Sequence, residues 1–141
     1  MFKKILVGYD DSKSARRALE RAAALAKEFG AELSAIWVRE PLPRHSDLPG
    51  EFEEESEAAQ KYLKVRQQEI REFSAQQKLE IKCESRSGHP AKTIVGFAGE
   101  NGFDLIVIGH SDHSGLWGRL LGDTADRISD QAHCSVLIVK Q

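Results

Sequence analysis

Cysteine is scarce in this 141-residue chain. The two that occur, Cys83 and Cys134, each stand in a strand-like apolar setting, which suits small buried hydrophobes in a reducing compartment and excludes a disulfide framework. An excess of positive charge is also missing. The 20 Lys+Arg against 22 Asp+Glu give a net charge of -2, so sequence-independent binding to a phosphate backbone is not expected and nucleic acid is not an expected partner. Long hydrophobic runs are absent too: nothing approaches a membrane span, no lipidation signal occurs, and the five apolar residues from Ile5 to Tyr9 are too few for a signal-peptide core. A soluble, cytoplasmic protein without a membrane partner is the expectation. With no internal repeat, linker or low-complexity tract, residues 1–141 read as one domain. That length buries about two thirds of the unfolded surface without help from disulfides or structural metal.

What is present alternates between two periods. Ile5 to Tyr9 is a continuous apolar run ended by Asp10-Asp11-Ser12, the pattern of a strand buried on both faces and followed by a helix cap. Ala15, Ala18, Leu19, Ala22, Ala26 and Phe29 then recur at three- and four-residue spacing, with Gly30 where a left-handed cap belongs. Leu33 to Val38 is a second strand, stopped by the proline-rich 40–43 segment. A polar helix runs from Glu51 to Gln77, with Ala59, Tyr62, Leu63, Ile70 and Phe73 as its apolar stripe and an acidic start that reads as solvated charge at a helix N-terminus. Strict alternation from Leu79 to Ser85 marks a strand near a sheet edge. A helix from Ala91 to about Glu100, a strand from Asp104 to Gly109, a helix holding Ala125, Ile128 and Ala132, and a strand from Ser135 to Val139 complete the chain. Strand and helix in alternation predict right-handed parallel crossovers and a three-layer, doubly wound α/β domain. Its five-stranded parallel sheet has order 3-2-1-4-5, Rossmann-like, with helices on both faces.

In that order the chain leaves strands one and four toward opposite faces, so Asp10 and Gly109 flank a crevice at the carboxyl edge of the sheet, where open α/β sheets bind ligands. Gly109 opens a loop punctuated by Gly115, Gly118 and Gly122 before the next helix, the layout of a backbone cradle for an anion. In a functional reading Asp10 accepts from a ribose hydroxyl, Val38 packs on a base and the loop after Gly109 receives phosphates, which makes Gly109, His110, Ser111, Gly122, Asp123 and Thr124 the further nucleotide-binding candidates. In a structural reading Asp10 caps the first helix and Val38 is plain core. His110, Asp112 and His113 lie close enough to suggest metal ligands, but a pair of loop histidines without a distant partner is weak evidence, and no metal site is assigned. Trp117 reads as a packing or dimer-contact residue. No Ser/His/Asp or Cys/His arrangement stands out, and no catalytic residue is assigned.

Ile5-Leu-Val-Gly-Tyr-Asp10 with Ser12, Gly88-His-Pro90, Asp104-Leu-Ile-Val-Ile-Gly109, Leu121-Gly122 and Cys134-Ser-Val-Leu-Ile-Val139 together resemble the universal stress protein family from Lys4 to Lys140. The resemblance implies an adenine nucleotide alpha hydrolase-like fold in a cytoplasmic homodimer linked to stress responses, whose members either bind ATP in this crevice or have lost that ability. The ATP-binding branch has glycine, two residues, glycine, nine residues, glycine, then Ser or Thr. Here those positions read Gly109, Asp112, Gly122 and Asp123. Two of the four fail, and both failures place a carboxylate where phosphate belongs. Arg119 in the same loop is a source of compensating charge, Thr124 is a donor displaced by one place, and Asp112 with Asp123 is a candidate pair for Mg²⁺ beside ATP or AMP.

Ser135, Val136, Leu137, Ile138 and Val139 form the last strand of the proposed order, an apolar and unpaired edge. Antiparallel pairing of two copies across it satisfies its backbone groups symmetrically, and in the resembled family this strand often makes the dimer. The expectation is therefore a non-enzymatic, stress-associated dimer with a degenerate nucleotide crevice, acting through other proteins. The rival reading is a switch responsive to ATP or AMP.

Overall fold

The protein is described here from a computed structural model, which covers residues 1–40, 49–110 and 118–140, with side chains described at 1–40, 56–110 and 124–140. Five strands, β1 (Lys4–Gly8), β2 (Glu32–Arg39), β3 (Ile81–Ser87), β4 (Leu105–Gly109) and β5 (Ser135–Val139), alternate with four helices, α1 (Lys13–Phe29), α2 (Pro49–Gln77), α3 (Pro90–Glu100) and α4 (Gly118–Gln131). The strands form one parallel sheet of order β3-β2-β1-β4-β5, as the alternation predicts.

The central strands β1 and β4 have no polar face because both of their faces are covered. Ile5 and Val7 of β1 join Leu33, Ala35, Val107 and the alanine stripe of α1, Ala15, Ala18, Ala22 and Ala26, with Ile70 and Phe73 of α2, in one core. Leu6 points the other way, into a second core with Ile36, Ile106, Ile108, Ile94 of α3 and Ile128 of α4. Period-two side-chain alternation in the strands thus sorts one sheet between two helical layers. The alanines of α1 let that helix sit close to the strands. Phe29, placed by its spacing on the same stripe, lies at the end of it, 38% exposed and edge-on to Phe2 at 5.8 Å.

Boundaries differ from the sequence reading where caps intervene. Lys78 adopts a left-handed conformation, φ 53°, so that its N–H donates to Ala75 O and the Leu79 N–H reaches back to Ser74 O at 3.1 Å. This is the Schellman arrangement, and it takes Leu79 and Glu80 out of the alternating run, so β3 starts at Ile81. Asp104 is likewise removed from β4. Its carboxylate accepts the Lys3 and Lys4 N–H groups at 2.8 and 3.1 Å, tying the start of β1 to the turn before β4. α1 meets its left-handed cap at Gly30 without steric cost, whereas Lys78 has a Cβ to accommodate. Lys78→Gly is expected to stabilise the fold by about 0.5–1 kcal/mol, read as a higher urea midpoint at unchanged m-value.

Candidate functional site

The turn 9–12 leaving β1 carries the one buried carboxylate of the described residues, Asp10. The helix cap next to it is Ser12, whose hydroxyl accepts the Ala15 N–H at 3.1 Å. Asp10 accepts instead from the Ser12 N–H, at 2.8 Å through Oδ1. The structural reading of Asp10 as the helix cap therefore fails. Burial pushes the Asp10 carboxyl above the usual carboxylate range, opposed by its hydrogen bonds with Ser12, with a further upward push from Asp11 and a downward one from Arg66. A group raised in this way favours folding when protonated, below its unfolded value of 3.8, and that contribution is lost as pH rises through the folded value. Ionising Asp10 therefore costs the fold stability, a cost that binding and chemical sites commonly carry.

Asp10 opens onto a recess at the carboxyl edge of the sheet. Its floor is Gly8, Ile36 and Ile108, and its walls are Val38, Pro90 and Ile94 with Thr124 of α4. The enclosed part is about 50 Å³, room for a few waters and not for a purine. A ring system must lie across the mouth. Gly8 matters here because a methyl group at that position would sit 3.4 Å from Ile108 Cδ1, in ordinary contact, and would take up the floor. The structure brings together Asp10, Val38 and Thr124 as the sequence predicts, the last two contributed by different elements on one side of the sheet.

The sequence matches the universal stress protein family over residues 1–140. The chain belongs to the universal stress protein family. A universal stress protein of Methanocaldococcus jannaschii is 36% identical over 143 residues, covering 100% of this chain and 84% of that protein. One from Bacillus subtilis is 36% identical over 149 residues, covering 99% of this chain and 100% of that protein. Among solved structures, the universal stress protein UspA from Lactobacillus plantarum superposes with a TM-score of 0.83 at 25% identity, over 98% of this chain and 97% of that one. A universal stress protein solved in complex with cAMP superposes at 0.74 with 26% identity, again over 98% and 97%.

As a universal stress protein the chain departs from the expected phosphate loop in several places. Gly109 is present, yet its first task is packing: a Cβ there would stand 2.5 Å from the Ser14 carbonyl carbon and oxygen and 2.9 Å from Ala15 N, so β4 and the first turn of α1 meet backbone to backbone. The His110 N–H donates to Val139 O at 2.8 Å and extends the β4–β5 ladder, so this backbone donor is already used, and the His110 side chain is exposed. Gly122 and Asp123, read from the sequence as loop, fall inside α4, which starts at Gly118. Their N–H groups come after the first four of the helix, the ones left without intrahelical acceptors. The side chains of Arg119 and Asp123, and all of Ser111, Asp112, His113, Gly115 and Trp117, lie outside the described residues.

A network that sequence reasoning missed reaches the same turn from α2. Tyr62, counted from its spacing as part of an apolar stripe, accepts the Asp11 N–H at 2.9 Å and stacks on Trp37 of β2 with ring centroids 4.6 Å apart. Arg66 lies over the Tyr62 ring at 4.6 Å, pairs with Glu69 at 2.9 Å and approaches Asp11 at 3.7 Å. Tyr9 Oη donates to Glu69 Oε2 at 2.8 Å, and burial together with that bond pushes its hydroxyl up to about 12. The signal was present in the sequence as Tyr62, Arg66 and Glu69 at helical spacing on one face. The two cysteines belong to opposite cores and both are free, and burial raises both thiols, which leaves them protonated and weakly nucleophilic.

Proposed function

We propose that this universal stress protein is a non-enzymatic stress-response module that works as a homodimer through contacts with other proteins, and that its crevice takes an adenosine monophosphate or cyclic nucleotide while turning away a triphosphate tail. The carrying observation is Asp10, a buried carboxylate that is not the helix cap and stands at the recess where an open α/β sheet binds ligands. A ribose hydroxyl would donate to the Asp10 carboxylate alongside the Ser12 N–H it already accepts. Val38 offers the apolar edge on which a base can rest. The cAMP complex of a relative of this fold supports that ligand class, and the negative charges of Asp112 and Asp123 argue against a triphosphate.

The test is a thermal-shift and calorimetry series with cAMP, AMP and Mg-ATP. A ligand at 100 times its Kd adds about 2.7 kcal/mol to stability, so cAMP or AMP raises Tm with concentration and Mg-ATP does not. The reading fails if none of the three moves Tm, or if Mg-ATP moves it as far as the others. Asp10→Asn keeps an acceptor for the Ser12 N–H and removes the charge. It is expected to raise stability at pH 7 by about 0.5–1 kcal/mol, to leave it unchanged near pH 3, and to weaken cAMP binding. Denaturation at the two pH values together with the same calorimetry checks all three.

The homodimer reading is supported by β5, which ends the sheet with Leu137 38% exposed and, among the described residues, no strand beside its outer backbone edge. Sedimentation at micromolar concentration should give a dimer that Leu137→Lys dissociates, and a monomeric parent rules this interface out. The non-enzymatic reading predicts no ATP turnover above background. The expected location is the cytoplasm, and no helix among the described residues is long and apolar enough to cross a membrane. A nucleotide-responsive switch is the second reading, and the network joining α2 to the Asp10 turn favours it.

A further inference from the structure

We infer that Tyr62 and Arg66 are positioning residues for the crevice: α2, on the far face of the sheet, clamps the turn that carries Asp10, and thereby couples crevice occupancy to the exposed surface of α2. This deepens the nucleotide reading and rests on it only for the ligand. The clamp has two jaws. The Tyr62 hydroxyl oxygen takes the Asp11 N–H at 2.9 Å, and Arg66 lies between Asp11, at 3.7 Å, and Glu69, at 2.9 Å, while Glu69 also takes the Tyr9 hydroxyl. The residues on either side of Asp10 are thus both held from one helix. Arg66 is costly to place: its side chain is 13% exposed and its Nε is buried with no hydrogen-bond partner among the described residues. A surface ion pair needs no such burial, so the guanidinium serves the turn. Trp37, stacked on Tyr62, connects the clamp to the strand whose next residue, Val38, lines the recess.

If the turn moves when a nucleotide reaches Asp10, the clamp must move with it. The charged groups bearing on Asp10 are Asp11 on its own turn and Arg66 from α2, with opposite effects on its ionisation.

The test uses Tyr62→Phe, Arg66→Met and the charge-preserving Arg66→Lys in the full chain. Without ligand, Tyr62→Phe should speed amide exchange at Asp11 by about tenfold, and Arg66→Met should move the Asp10 carboxyl titration, followed by carbon-13 NMR, upward, with Arg66→Lys restoring part of the shift. With cAMP, both Tyr62→Phe and Arg66→Met should weaken binding by about fivefold, the lower end of measured couplings, and cAMP should slow exchange in residues 62–69 of the parent. The clamp is refuted if Asp11 exchange and the Asp10 titration match the parent in the two variants, a result that needs no ligand. The coupling is refuted if cAMP binds the parent and both variants equally. A parent that binds no nucleotide sinks the functional reading and leaves the first two measurements to decide the clamp.

Discussion

Replacing Asp112 by Gly and Asp123 by Ser together is expected to raise the affinity for Mg-ATP by at least about 30-fold while leaving that for cAMP where it is. The ATP-binding pattern of the universal stress protein family calls for glycine and a hydroxyl at these two places, and the chain offers two carboxylates. A carboxylate within about 4 Å of a phosphate charge costs about 1 kcal/mol at the dielectric of water and about 4 kcal/mol at an effective value of 20. Two such penalties sum to about 2–8 kcal/mol, against about 8 kcal/mol for a micromolar complex. At the low end the triphosphate loses about 30-fold in affinity, and at the high end it is excluded. A ligand whose phosphate stays away from the loop loses little, hence the unchanged cAMP affinity. Calorimetry on the double variant decides the matter, and salt gives an internal check. Screening shortens with ionic strength, so residual ATP binding by the parent should improve with salt, and binding by the variant should not. If the variant binds ATP no better than the parent, charge is not what keeps the triphosphate out.

The sheet order, the two-faced core and the crevice at Asp10 were legible in the sequence because each depends on local pattern. A strand without a polar face must be covered on both sides, an alanine stripe must pack closely, and strand–helix alternation permits few topologies. Element ends were less legible, since caps are set by single residues that act out of type. Lys78 takes a conformation usually left to glycine, and Asp104 spends its carboxylate on the N–H groups of Lys3 and Lys4. The site divides in the same way. Asp10, Val38 and Thr124 line the recess because topology puts the ends of β1 and β2 and the body of α4 there. Tyr62 and Arg66 were hidden because their partners lie 51 and 55 residues away along the chain, at Asp11. Helical spacing says that two side chains share a face and says nothing of what that face meets. Gly109 was legible as necessary, but its reason was not: a glycine at a strand end reads equally as an open door for phosphate and as a place where two backbones touch.

Those two reasons separate under substitution, and Gly109→Ala is expected to cost about 3 kcal/mol of folding stability, lowering Tm by about 10 °C. The added Cβ would lie 2.5 Å from the Ser14 carbonyl carbon and oxygen and 2.9 Å from Ala15 N. All three are backbone atoms in the first turn of α1, so no rotamer change relieves the contact; the helix must move off β4. That movement opens the core that Ala15, Ala18 and Leu19 share with Val107, and loss of close packing over several residues accounts for the size of the effect. Gly99→Ala is the control. It lies in α3 with nothing among the described residues within 4 Å of the added methyl group, so it should stabilise by about 0.5–1 kcal/mol through helix propensity alone. A glycine kept only to let phosphate approach the backbone would behave otherwise: Gly109→Ala would then fold with the stability of the parent and lose ligand affinity alone. Because Ser14 follows the turn that holds Asp10, Gly109→Ala should also weaken cAMP binding, but by displacing α1 and the turn with it. Equal stability of Gly109→Ala and the parent in urea denaturation would mean that the β4–α1 contact does not constrain the fold.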